Sequence, residues 1–191
     1  MLPGKKSFVG PTPLLEPENP TIYKAYPYRF VVLLIFVAGC FANVMMWGTF
    51  IPLMTQMMEL FSVDLTTVSF CTIVISNVAY APGNFIANYI IDKFGFKVGV
   101  IVGTALTAMG MWIDKLCIYN FYWILVGQSL GGIAQAFFYG TSQKVSAIWF
   151  PVKERTLATS AMIGLLPMGG SVGILLPKYI VDPGAKGDEA M

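Results

Sequence analysis

Apolar residues along this chain come in long charge-free runs. Phe30–Met58, Leu65–Ile91, Val98–Ile113, Phe121–Gln143 and Thr156–Pro177 contain no Asp, Glu, Lys or Arg. A helix needs about 20 predominantly apolar residues to cross a bilayer. The pattern therefore predicts an all-α integral membrane protein with five transmembrane helices. Charges mark the breaks. Glu59 and Asp64 bracket the first, Asp114 and Lys115 mark the third, and a polar turn opening at Lys144 and running through Lys153, Glu154 and Arg155 forms the fourth. The second break is Asn88-Tyr-Ile-Ile-Asp92-Lys93-Phe-Gly95-Phe-Lys97, a tight charged hinge whose Gly95 supplies a bend that most residues resist.

Within the runs, prolines and glycines add detail. Pro52 is expected to kink the outer end of the first span, and Pro82 and Gly83 lie inside the second. Gly99 and Gly103 are four apart, as are Gly127 and Gly131, a spacing that lets helix backbones approach closely. The fifth run carries Gly164, Gly169, Gly170 and Gly173, with Pro167 inside. The reading divides the chain into a proline-rich extended arm (1–28), a five-helix transmembrane domain (29–181) and a polar tail (182–191). Basic residues are unevenly shared between the two ends of the bundle. Lys5, Lys6, Lys24, Arg29, Lys93, Lys97, Lys144, Lys153 and Arg155 fall on one side, and Lys115, Lys178 and Lys186 on the other. Basic loops stay inside, so the N-terminus is expected on the cytosolic or matrix side and the C-terminus opposite. The membrane itself is left open between the mitochondrial inner membrane and the plasma membrane.

Composition narrows the function classes. The chain is 56% hydrophobic and 12% charged, against about 25% charged in a soluble domain. It has no histidine, which removes the commonest haem and metal ligand. Cys40, Cys71 and Cys117 lie in or beside apolar runs and read as buried thiols. No cysteine pair has zinc-ligand spacing. No nucleophile with a base, no carboxylate pair and no phosphate loop is visible. The expectation is a chain without cofactor or metal that is not an enzyme and binds no nucleic acid.

Two polar side chains inside spans stand out. The indole face of Trp47 attracts cations, although a tryptophan also serves to anchor an interface or pack a bundle. Gln135 in the fourth span needs a partner in hydrocarbon, either across a helix interface or in a cavity. Gln128, Asn77, Asn84 and Asn88 raise the same question more weakly.

The hinge Asp92, Lys93, Gly95 and Lys97 resembles the gating loop between helices two and three of the major facilitator superfamily. That pattern has Gly, three residues, Asp, Arg or Lys, one residue, Gly and two basic residues. Here Asn88 replaces the first Gly and Phe96 one basic residue. Two further segments resemble the feline leukaemia virus subgroup C receptor family. They are Asp92-Lys-Phe-Gly95-Phe-Lys97 through Gly110-Met-Trp112, and Leu125-Val-Gly127-Gln128 through Ala134-Gln135-Ala136 to Trp149-Phe150-Pro and Glu154. The resemblance covers roughly Arg29 to Val181. It implies the first five helices of a twelve-helix facilitator, of a family linked to haem, choline and ethanolamine transport. It also implies that Trp47 and Gln135 line a ligand cavity. Met45, Met46, Gly48 and Thr49 depart from the family's surroundings of that tryptophan.

A facilitator rocks two six-helix halves about a central site, and the resemblance covers part of one half. The sequence reading therefore expects a non-catalytic structural or accessory subunit of a larger membrane complex, with other membrane subunits as partners and a mitochondrial respiratory assembly as a candidate home. The alternative is part of a choline, ethanolamine or haem transporter completed by a second half and binding an organic cation.

Overall fold

The computed structural model describes residues 27–180. The polar tail and nearly all of the proline-rich arm lie outside the described residues.

Five helical rods follow the charge-free runs. The first comprises α1 (Tyr28–Gly48), a 3-10 turn (Ile51–Leu53) and α2 (Met54–Phe61). The break expected from Pro52 is present. Pro52 has no N–H to give the Gly48 carbonyl and its ring crowds that oxygen. The chain leaves the helix at Gly48, where the Thr49 N–H and hydroxyl both donate to the Met45 carbonyl, at 3.0 and 2.8 Å.

The second rod begins at Asp64, whose carboxylate caps α3 (Leu65–Ser69) by accepting from the Thr66 N–H at 3.0 Å. Hydrogen bonding from Thr66 holds that carboxyl below its ordinary value. A π-helical turn (Phe70–Val74) leads into α4 (Ile75–Phe94). Gly95, at φ +85°, reverses the chain into α5 (Phe96–Asp114), which ends in a 3-10 turn (Lys115–Ile118). A side chain at Gly95 would be strained by this backbone.

The fourth rod is α6 (Trp123–Trp149). It is longer than its charge-free run, and the polar turn expected from Lys144 is instead helix. Lys144 forms an ion pair with Asp92 at the end of α4, so its charge gives no reason to leave the helix. The chain leaves at Phe150, extended as a residue before proline must be, and Pro151 opens α7 (Val152–Gly164). The fifth rod breaks once more, between α7 and α8 (Leu166–Ile180), because Pro167 fits only the first turn of a new helix.

Four rods are long and apolar enough to cross a membrane: Tyr28–Phe61, Leu65–Phe94, Phe96–Ile118 and Val152–Pro177. The fifth crossing helix, α6, falls short of their hydropathy. At about 1.5 Å per residue its length is ample. It touches α1, α4, α5 and α7, and a helix surrounded by protein needs less apolar surface than one facing lipid. Phe85, Ile101, Trp112 and Leu157 stay exposed, as side chains turned to lipid would.

Small residues set the helix spacing. A Cβ at Gly132 would overlap the Ser76 carbonyl oxygen, so α6 and the second rod touch backbone to backbone there. Gly169 and Gly173 bring α8 onto the Phe41 and Met45 carbonyls of α1 in the same way, with Cβ positions 2.7 and 2.6 Å from those oxygens. The glycine-rich face of the fifth span is therefore used within the bundle. Phe36, Cys40, Phe138, Val145 and Met162 form one core cluster between α1, α6 and α7. Cys40 and Cys71 are buried thiols, Cys117 is half-buried, and all three are free.

Candidate functional site

Trp47 and Gln135, on different helices, line one cavity. Its volume is about 140 Å³, and Thr72, Ile73, Ser76 and Asn77 complete the wall. The first rod delivers Trp47 in the last turn of α1, packed partly against the main core cluster. Gln135 comes from the middle of α6. The π turn and the start of α4 deliver the other four. A π turn inserts one residue into the helical register, a feature frequent at functional sites. Neither candidate is consumed by the protein. The buried Trp47 Nε1 has no hydrogen-bond partner, and the Gln135 side chain makes no hydrogen bond among the described residues.

The remaining polar groups at this wall are oriented by local bonds. The Thr72 hydroxyl donates to the Val68 carbonyl at 2.8 Å, and the Asn77 amide donates to the Ile73 carbonyl at 2.9 Å. The Ser76 hydroxyl has two acceptors in reach, the Thr72 carbonyl at 3.2 Å and Gln128 Oε1 at 3.3 Å. Gln128 Nε2 donates in turn to Asp114 Oδ2 at 2.8 Å. Asp114 was expected in a loop beside Lys115. It is instead the last residue of α5 and only 7% exposed. Its carboxylate lies over Gly127, where a Cβ would overlap Oδ1.

A second buried polar junction sits deeper in the bundle. Asn43 Nδ2 donates to Thr107 Oγ1 at 3.0 Å and to the Gly131 carbonyl at 3.1 Å, joining α1, α5 and α6. Sequence reasoning passed over both Asn43 and Asp114. The visible signal was a polar residue in or beside an apolar run, and it was weighed only for Trp47, the glutamines and the α4 asparagines.

The hinge residues occupy the other end of the bundle from Trp47. Asp92 pairs with Lys144, Lys93 sits over the Tyr89 and Phe94 rings, and Gly95 makes the reversal. Lys97 borders a larger cleft of about 300 Å³ with Tyr28, Phe36, Phe96, Val145 and Trp149. This cleft is apolar and contains neither Trp47 nor Gln135. At the same end Arg29 of α1 pairs with Glu154 of α7 at 2.9 Å. Asn77, Asn84 and Asn88 fall along one stripe of α4. Asn88 bonds to Asn84 at 3.1 Å, and Asn77 and Asn88 are exposed.

Comparison with known proteins identifies the family. The family model described as Major Facilitator Superfamily matches residues 36–184. Curated relatives include the mouse choline/ethanolamine transporter FLVCR1, 29% identical over 157 residues, which cover 81% of this chain and 28% of the relative. The human choline/ethanolamine transporter FLVCR2 is 24% identical over 167 residues, 86% of this chain and 32% of the relative. Solute carrier family 49 member A3 of Xenopus tropicalis is 28% identical over 168 residues, 83% of this chain and 34% of the relative. The chain thus spans about a third of the length of these relatives. Helical rods long enough to cross a membrane, close-packed through glycine around a half-polar cavity, and a family match running from within α1 past the end of α8 give one conclusion: this is an integral membrane protein, and it belongs to the major facilitator superfamily.

Proposed function

We propose that this chain supplies one wall of a facilitative transporter for a small organic cation of the choline or ethanolamine class. The observation that carries the reading is the convergence of Trp47 and Gln135 on one cavity, each with polar capacity unspent. An indole face binds a desolvated quaternary ammonium with about 0.5–2 kcal/mol. Gln135 offers an amide that can both donate and accept, suited to a hydroxyl at the other end of such a ligand. The relatives' names, choline/ethanolamine transporters, point to the same class. The exposed amides of α4 fit a surface that meets water or protein rather than lipid. Alternating access requires a second wall against which this one rocks. The hinge residues Asp92, Lys93, Gly95 and Lys97 then gate the end remote from the cavity.

The test is equilibrium binding of choline to the chain in lipid nanodiscs. Trp47→Ala is expected to lower affinity by about 3- to 30-fold, the range of a cation–π contact. Gln135→Ala should weaken it by a smaller factor. Affinity unchanged in both variants overturns the reading.

A second reading, a non-catalytic accessory subunit of a larger membrane complex, is favoured by the same amide stripe of Asn77, Asn84 and Asn88, exposed at Asn77 and Asn88, which another subunit would cover. Purification in mild detergent separates the two. A stable complex with unrelated membrane subunits, together with no binding of organic cations, supports this alternative.

A further inference from the structure

In the middle of the bundle α1 and α5 close over α6. The Phe138 ring of α6 lies within contact of the Cβ positions of both Gly39 on α1 and Gly103 on α5. Towards the hinge no described side chain takes that part, and the cleft of about 300 Å³ opens between the three helices. Its mouth lies where the helices end. Tyr28 and Phe96 are the first residues of α1 and α5, and Trp149 is the last of α6. On α1 it reaches inward to Phe36, a rise of about 12 Å at the pitch of an α-helix. The cleft therefore runs from headgroup level into the hydrocarbon. Its flank is open, since Ile35 and Ile101 are exposed on the side turned to lipid.

The lining is apolar except at the mouth. Lys97 is its one charged residue, and among the described residues it has no ion-pair partner. The nearby cations Lys144 and Arg29 are spent on Asp92 and Glu154. The Trp149 Nε1 is buried with no described group to receive its hydrogen, although a buried indole ordinarily finds an acceptor. Ordered water needs about 2–4 polar partners for each molecule, more than this lining offers. An empty slot would forfeit the dispersion contacts of its walls. The ammonium group of Lys97 repels the organic cations suited to the Trp47 cavity. What fits is an amphiphile with an apolar chain for the slot and an anionic, hydrogen-bond-accepting head for the mouth.

We propose that the cleft between α1, α5 and α6 is a binding site for an anionic phospholipid. One acyl chain fills the slot, the phosphate sits at Lys97, and the second chain stays in the bilayer through the flank between Ile35 and Ile101. Basic pockets between transmembrane helices hold anionic headgroups in this way. The bilayer at the open flank presents diacyl phospholipid in large excess over free fatty acid, which decides between the two. The site is separate from the Trp47 cavity and does not depend on what that cavity binds.

The test is native mass spectrometry of the full chain in mild detergent, titrated with phosphatidylglycerol, phosphatidylcholine or oleate of matched acyl chains. The first phosphatidylglycerol is expected to bind more tightly than the first phosphatidylcholine or oleate. Lys97→Gln should weaken that first phosphatidylglycerol by about 5-fold, the scale of one lysine at an anionic lipid surface. Phosphatidylcholine, with no net charge, should stay within about twofold. Lys115→Gln makes the same charge change at the other end of α5 and should leave phosphatidylglycerol within about twofold. Val100→Phe fills the slot with Lys97 intact and should abolish the preference for phosphatidylglycerol. Ile35→Trp narrows the cleft from its exposed flank and provides a second measurement if Val100→Phe fails to fold. Equal binding of phosphatidylglycerol and phosphatidylcholine by the unmodified chain overturns the proposal. So does an equal loss from Lys97→Gln and Lys115→Gln, or no loss from Lys97→Gln and the filling variants. Oleate binding as tightly as phosphatidylglycerol, with the same dependence on Lys97 and Val100, overturns the phospholipid assignment in favour of a fatty acid.

Discussion

Asn43 of α1 holds Thr107 of α5 by a hydrogen bond of 3.0 Å, and the same amide reaches the Gly131 carbonyl of α6 at 3.1 Å. Three helices meet at one side chain that is 2% exposed. Thr107 also donates to the Gly103 carbonyl at 2.9 Å, so its own proton is used whether or not Asn43 is present.

Asn43→Leu is therefore expected to cost about 1–2 kcal/mol, the scale of an interhelical polar contact in a membrane. The partners left behind keep bonds of their own, which limits the loss. Thermal unfolding in detergent measures it. An unchanged midpoint would mean that the junction forms without contributing to stability.

Gly132→Ala should be more severe. The Ser76 carbonyl oxygen occupies the place of the new methyl group, and a backbone atom cannot swing aside. Overpacking of this kind costs about 1–3 kcal/mol or more. Gly164→Ala is the control. Nothing lies within 4 Å of its Cβ position, and alanine suits a helix better, so stability should hold or rise by up to about 1 kcal/mol. Equal effects from the two substitutions would show that the α6 crossing is looser than described.

Cysteine labelling checks orientation. In a background lacking Cys40, Cys71 and Cys117, Lys93→Cys should react from the cytosolic or matrix side and Tyr119→Cys from the opposite side. Both positions are exposed, and they sit at opposite ends of α5. The motive is the basic bias at the Lys93 end. Labelling of both positions from one side would remove the odd number of crossings. Labelling of each from the side opposite to that stated would invert the orientation.

The rods were legible because lipid imposes a simple rule: no charge for about 20 residues. Trp47 and Gln135 were legible because a bulky or polar side chain in such a run is conspicuous. Asp114 was misread because a charge next to Lys115 has the composition of a loop. Its burial depends on Gln128, fourteen residues away across a helical hairpin. Lys144 was misread for a related reason. Its partner Asp92 is 52 residues distant, and no local pattern announces that the pair keeps the helix going. The glycines of the fifth span were visible as a packing face. Which carbonyls they would meet depends on how α8 lies along α1, a tertiary fact.

The modest hydropathy of α6 bears on how the chain is made. A helix carrying Gln128, Gln135, Gln143 and Lys144 partitions poorly from the translocon when it emerges alone, since polar and charged residues oppose insertion. The helices that cradle it, α4 and α5, precede it in the sequence and are synthesised first. Biogenesis in that order gives α6 a glycine-lined berth that already holds the partners of Gln128 and Lys144. A circular permutation that moved α6 ahead of them would ask the membrane to accept it before its hosts exist.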